Sequence, residues 1–137
     1  MRRKRRMYCG EKELYQAYAG INSLEKNYIK VNEALNAIKK LEDNWNDNGA
    51  CSFSAELIEK CRRIAMQLEA EPFVCSTACG SIQFEYEKED GEYLEFEIYE
   101  DRIEVFLETL SDGEKEYRLC GRSATDKMKQ LVVDFYG

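Results

Sequence analysis

At 137 residues, with 44% of them apolar, the chain has room for one domain built around a single core. One proline and eight glycines leave no flexible linker or low-complexity segment, and no apolar run approaches the roughly 20 residues needed to span a bilayer. The formal net charge of −7 is unevenly spread: without Arg2, Arg3, Lys4, Arg5 and Arg6 it falls to −12, so a basic arm (residues 1–10) precedes a strongly acidic body (residues 11–137) that should repel nucleic acid and attract basic proteins.

The arm has the charge of a signal-peptide start, but Tyr8-Cys-Gly-Glu-Lys-Glu stands where an apolar stretch would have to follow. A cytoplasmic protein is therefore expected. A short helix is predicted from Glu11 to Ala19, broken at Gly20. Leu24, Tyr28, Val31, Leu35, Ile38 and Leu41 then alternate spacings of four and three, one continuous stripe on a second helix. Packing on the domain's own sheet is the expected use of this stripe, and a coiled-coil homodimer the competing one.

Asp43-Asn-Trp-Asn-Asp-Asn-Gly-Ala is dense in residues that tolerate left-handed backbone, and it ends the helix in a loop. Trp45 is expected to anchor that loop to the core, the alternative being an exposed binding residue. Ser54 reads as the N-cap of a third helix, with Phe53 and Ile58 placed as a hydrophobic staple. That helix should run to about Glu69, burying Leu57, Ile58, Cys61, Ile64, Ala65 and Leu68.

After Pro72, Phe73-Val-Cys is a short strand, and beyond Gly80 the apolar period becomes two: Ile82, Phe84, Tyr86; Leu94, Phe96, Ile98; Ile103, Val105, Leu107. A further strand is predicted from Glu116 to Cys120 after the Ser111-Asp-Gly turn, and a closing helix from Ala124 to Tyr136 with Met128, Leu131, Val132 and Phe135 inward. The expected fold is thus α+β: N-terminal helices, a four- to five-stranded antiparallel meander and a C-terminal helix. Turn chemistry sets the register. A three-residue Glu89-Asp90-Gly91 loop with left-handed Gly91 pairs Tyr86 with Leu94, Phe84 with Phe96 and Ile82 with Ile98; a two-residue Glu100-Asp101 loop pairs Ile98 with Ile103 and Phe96 with Val105.

Those registers put Glu85 beside Glu95, Glu97 beside Glu104, and Glu87 and Glu108 on either side of Tyr93, with Tyr99 and Phe106 on the same face. From Ile82 to Glu108 eleven acidic residues meet only Lys88 and Arg102. Like charges across a ladder cost some tenths of a kcal/mol, up to ~1. Taken as an exposed flat surface, this face is the candidate partner-binding site. Carboxylates on alternate residues recur every ~6.8 Å, near the phosphate spacing of an extended nucleic-acid strand. The competing reading is a solvated face that keeps the sheet soluble.

Catalysis is not expected. Without histidine there is no Ser-His or Cys-His pair, and no phosphate-cradling glycine loop or Gly-x-Ser-x-Gly elbow is present. The six cysteines (Cys9, Cys51, Cys61, Cys75, Cys79, Cys120) are expected to be reduced thiols, and their spacing supports no zinc site. No cofactor is called for.

Trp45-Asn-Asp-Asn-Gly-Ala, followed after a helix by Thr77-Ala-Cys-Gly-Ser-Ile-Gln-Phe-Glu-Tyr, resembles a family of small bacterial proteins with a Trp-Asp/Asn-x-x-Gly-Ala loop and a Pro-Thr-x-x-Gly-x-Ile-x-Leu-Glu-Trp strand. The likeness spans about Leu41 to Glu108 and departs at Ser76, where the family has Pro, and at Tyr86, where it has Trp. It implies the fold and brings no activity. In size and acidity the chain is also similar, as a class, to anti-CRISPR proteins of phage and mobile elements. The expectation is a non-enzymatic inhibitor whose acidic aromatic face occupies the basic, nucleic-acid-binding surface of a protein such as a CRISPR nuclease. The alternative is an antitoxin-like module whose arm, Arg2 to Arg6, contacts nucleic acid.

Overall fold

A computed structural model describes residues 28–137. In chain order these form α1 (Ile29–Lys39), α2 (Ala55–Ala65), β1 (Phe73–Ser76), β2 (Ile82–Glu87), β3 (Tyr93–Ile98), β4 (Ile103–Thr109), β5 (Gly113–Leu119) and α3 (Ala124–Tyr136). The fold is α+β, and the strands form one antiparallel sheet in the order β1-β2-β3-β4-β5. The short helix at Glu11–Ala19, Leu24, Cys9 and the arm Arg2–Arg6 lie outside the described residues.

One core holds the three helices to one face of the sheet. Tyr28, Val31, Leu35 and Ile38 meet Leu57, Ile58, Cys61, Ile64 and Leu68, and both sets pack with Ile82, Phe84, Tyr86, Leu94, Phe96, Ile98, Ile103 and Val105, closed by Met128, Val132 and Phe135. The stripe predicted on α1 is used within the domain. Glu71 is buried and its Oε2 accepts from the backbone N–H of Val31 at 2.9 Å, so a carboxylate satisfies the positive N-terminal end of α1. The Tyr28 hydroxyl donates to the Leu68 carbonyl at 2.8 Å.

The loop after α1 closes on itself. Asn44, Asp47 and Gly49 all have positive φ, Asn46 Oδ1 accepts from the backbone of Asn48 and Ala50, and Trp45 Nε1 donates to the Cys51 carbonyl at 3.0 Å. Trp45 is partly buried, its ring 6.0 Å from that of Phe53, and so anchors the loop as expected. Ser54 caps α2 by accepting from Leu57 N at 3.1 Å. The helix stops at Ala65 instead of about Glu69, and a short run of turns carries Leu68 back into the core.

Both predicted hairpin registers occur residue for residue. Gly91 has φ +96, and the Lys88 N–H donates to the Glu92 carbonyl at 2.9 Å. Tyr99 N–H donates to the Arg102 carbonyl at 2.9 Å across the Glu100-Asp101 turn. Polar links fix the hairpins to the helices: Lys60 of α2 donates to the Tyr99 and Glu100 carbonyls, and Lys88 donates to the Phe135 carbonyl at the end of α3. The last strand begins at Gly113, earlier than the predicted Glu116, because Gly113 at φ +71 pairs with Thr109 and the ladder starts at once.

Cys75 corrects the expectation of six thiols: it is disulfide-bonded, since spacing along a chain does not show which sulfurs a fold brings within bonding distance. Cys51, Cys61, Cys79 and Cys120 are free. Burial pushes the Cys61 thiol up to about 12, so in the native protein a thiol reagent should label the exposed Cys51, Cys79 and Cys120 and reach Cys61 only on unfolding. Cys61→Ala should cost ~1 kcal/mol in denaturant unfolding, as a small core truncation. Burial, with Glu71 and Glu69 nearby, also raises Tyr28 to about 12. The folded state therefore holds this proton more tightly than the unfolded chain does. The stabilisation is complete below the ordinary tyrosine value and is lost as pH rises towards 12; ultraviolet titration of tyrosinate in native and denatured protein should show it.

Candidate functional site

Strand parity places Gln83, Glu85 and Glu87 of β2, Tyr93, Glu95 and Glu97 of β3, Glu104, Phe106 and Glu108 of β4, and Glu114, Glu116 and Arg118 of β5 on the face turned away from the helices. The predicted neighbours are all found: Glu85 opposite Glu95, Glu97 opposite Glu104, and Tyr93 between Glu87 and Glu108. The expected exposure is not. Glu85 is 1% exposed, Glu95 and Glu97 2%, Tyr93 0% and Phe106 5%. Alternation identifies which residues share a face and carries no information on whether that face meets water, so the flat solvated surface expected from sequence is replaced by a second buried layer in the middle of the sheet. Glu87, Tyr99, Glu104 and Glu108 are half-buried around it.

Glu85, Glu95, Glu97 and Glu104 each accept a hydrogen bond from a side chain near them in sequence. Gln83 Nε2 donates to Glu85 Oε2 at 2.6 Å, Tyr93 Oη to Glu95 Oε1 at 2.8 Å, Tyr99 Oη to Glu97 Oε2 at 3.2 Å, and Arg102 Nε to Glu104 Oε2 at 2.9 Å. Each donor stands two residues from its acceptor and hence on the same face. Two further groups reach in from other elements. Ser81 Oγ donates to Glu97 Oε2 at 2.9 Å, and Arg118 Nη2 of β5 approaches Glu104 Oε2 at 3.3 Å. Ser81 is itself held in the β1–β2 turn by Thr77, whose hydroxyl lies 2.6 Å from Ser81 Oγ and accepts from the Cys79 and Ser81 N–H groups. The Thr77-x-x-Gly80-Ser81 motif therefore positions a donor for Glu97.

Arg102 lies over the Tyr99 ring, 3.8 Å from its centroid, and its hydrogen bond to Glu104 raises it above its ordinary value. Burial first, and Glu97 second, push the Tyr99 hydroxyl upward. Tyr93 and Phe106 pack with ring centroids 6.1 Å apart. Towards β5 the face opens into a cavity of about 310 Å³ lined by Glu95, Glu97, Glu104, Phe106, Glu116, Tyr117 and Arg118, among others.

No family model, no curated protein and no solved structure matches the chain. The site is therefore read from its own chemistry. Among the described residues no group of three or more Cys, Asp or Glu side chains is arranged to hold a metal ion, and no helix is long and apolar enough to cross a membrane. The arm Arg2, Arg3, Lys4, Arg5 and Arg6 lies outside the described residues. Sequence reasoning missed Ser81, Gln83, Glu116, Tyr117 and Arg118. Glu116 and Arg118 were within reach, since pairing Thr109 with Gly113 across the turn sets Phe106 against Glu116 and Glu104 against Arg118.

Because Glu97 is buried among donors, Glu97→Lys should lower stability by at least ~2 kcal/mol, the opposite of what an exposed, repelling pair would give. Tyr93→Phe removes the donor to Glu95 Oε1 and should cost ~1–3 kcal/mol. Glu114→Lys on exposed β5 should stay within ~0.5 kcal/mol. Denaturant unfolding of the three variants side by side checks the assignment.

Proposed function

We propose that the protein is a non-enzymatic binding protein that occupies a basic, nucleic-acid-binding surface of another protein, as a phage- or mobile-element-encoded inhibitor of a nuclease would. The cavity between β3, β4 and β5 is the observation that supports this reading. Its wall combines the carboxylates of Glu95, Glu97, Glu104 and Glu116 with the ring of Phe106. Acidic groups around an aromatic surface suit a Lys or Arg side chain, whose stem packs on the Phe106 ring while its charged head meets the carboxylates.

Recognition then runs through the half-buried and exposed rim, and not through a flat ladder of phosphate-like charges. Glu104 and Glu108 are the central rim groups, Glu114 and Glu116 extend them along β5, and the hairpin tips add Glu89, Asp90, Glu100, Asp101 and Asp112 around the sheet. Buried Glu85, Glu95 and Glu97 contribute field and rigidity from beneath. Such a surface repels nucleic acid and steers a cationic protein towards it. We assign the protein to the cytoplasm; the disulfide at Cys75 is the feature that argues the other way.

An arginine-rich peptide and a DNA duplex, each titrated into the full chain, test the proposal. The peptide should bind with an affinity that falls steeply as salt rises, and the duplex should not bind at physiological ionic strength. Glu104→Lys and Glu108→Lys should each weaken the peptide about ten-fold, ~1.4 kcal/mol. Glu42→Lys carries the same change in net charge but sits on the exposed loop after α1, and it should bind like the parent. Equal losses in all three variants would reduce the effect to net charge and sink the proposal, as would failure of the parent to bind the peptide.

A further inference from the structure

The two edges of the sheet differ. Phe73, Val74 and Cys75 of β1 are buried, whereas every residue of β5 from Gly113 to Arg118 is exposed. Hydrogen-bond parity shows what that open edge offers. Tyr99 and Arg102 form a hydrogen-bonded pair across their turn; pairs alternate along an antiparallel ladder, so Ile103, Val105, Leu107 and Thr109 turn their backbone groups towards β5. They bond Leu119, Tyr117, Lys115 and Gly113, which leaves the backbone N–H and C=O groups of Glu114, Glu116 and Arg118 pointing away from the sheet.

An antiparallel strand added to this edge must set its own outward-pointing residues against these. For a second copy of β5 the symmetric registers are therefore centred on Lys115, Glu116 or Tyr117, and charge separates them. Centring on Lys115 opposes Lys115 to itself and Glu114 to Glu116. Centring on Glu116 opposes Glu114 to Arg118 twice but sets Glu116 against itself on the axis. Centring on Tyr117 opposes Tyr117 to itself and Glu116 to Arg118 twice, with no like-charged pair.

We propose that the protein forms a twofold dimer through β5, in which Tyr117 faces Tyr117 of the partner subunit and Glu116 faces Arg118 of the partner subunit in both directions. Each Glu116–Arg118 pair exchanges two backbone hydrogen bonds and brings opposite charges together on one face. Tyr117 is one of the large apolar side chains left exposed, at 41%, and the twofold axis covers it. The Arg118 side chain is 62% exposed, and Glu104 keeps Arg102 at 2.9 Å when Arg118 turns to the second copy. The strand contains no proline, and its register with β4 is unbroken by any bulge, so neither of these common protections against edge pairing is present. The proposal is independent of what the acidic rim binds.

Light scattering and sedimentation of the full chain read the outcome directly. The parent should pass from monomer to dimer between low micromolar and submillimolar concentration. Glu116→Arg alone, or Arg118→Glu alone, should weaken dimerisation about ten-fold or more by creating two like-charged pairs. The double substitution should restore it. In the Glu116-centred register the double substitution would instead set Glu114 against the new carboxylate at position 118 and would not rescue. On the axis the paired Cα atoms lie ~4.5 Å apart, within disulfide range. Tyr117→Cys, made together with Cys51→Ser, Cys79→Ser and Cys120→Ser, should therefore form an intermolecular disulfide on oxidation. A parent that stays monomeric throughout overturns the proposal. So does a folded double variant that fails to recover dimerisation, or a Tyr117→Cys variant that does not cross-link.

Discussion

Successive side chains of a strand point to opposite faces, so a slip of one residue anywhere in β2, β3 or β4 would exchange the apolar set for the acidic one. Phe84, Phe96 and Val105 would leave the helix-side core, and carboxylates would enter it among buried apolar side chains such as Leu35 and Ile64. The penalty for burying a charge without partners exceeds anything a single turn contributes. The turns nevertheless decide the register locally, because Gly91 adopts the left-handed backbone of a three-residue loop and Glu100-Asp101 closes the next hairpin in two. Global burial and local turn chemistry select the same pairing, and everything about the second face follows from it.

That face looks frustrated when only cross-strand neighbours are counted, since Glu85 meets Glu95 and Glu97 meets Glu104. The hydrogen bonds run in the other direction. Gln83, Tyr93, Tyr99 and Arg102 each serve a carboxylate two residues away on their own strand, and Ser81 and Arg118 add donors from the turn and the edge. The period that gathers the acids on one face also supplies their donors. A polar side chain at the start or end of each acidic strand segment is thus part of the mechanism that permits the acids to be there.

The helix-side half of the molecule was legible in the sequence because periodicity, caps and turn residues are local, and they agree. Ser54, Gly91, the α1 stripe and the span of α3 are found where pattern places them. The outer half was legible only in part. Alternation assigned Glu85, Tyr93, Glu95, Glu97 and Phe106 to one face correctly, and then acidity suggested water, because charged residues are seldom buried. What escaped was the accompanying set of donors, which is visible in Gln83, Tyr93 and Tyr99 once one asks how a buried carboxylate could be satisfied. The bond at Cys75 escaped for a different reason, since it depends on approach in space and leaves no trace in spacing.

The treatment of the sheet edges bears on how the charged surface should be understood. An edge kept soluble needs only charge, and an unmixed run of one sign serves, because two such edges repel each other. β5 instead reads Glu114, Lys115, Glu116, Tyr117, Arg118, with signs that alternate about an aromatic residue. Within the domain this arrangement does little: Arg118 shares Glu104 with Arg102, Lys115 makes a solvent-exposed pair with Asp112, and exposed pairs of this kind contribute at most ~1 kcal/mol. The sequence of signs has a consequence only against another strand, where it penalises the registers that oppose like charges and leaves one that opposes unlike charges with no like-charged pair. Since the acidic rim at Glu104 and Glu108 lies on the next strand, pairing at this edge would set two such rims side by side on one continuous sheet.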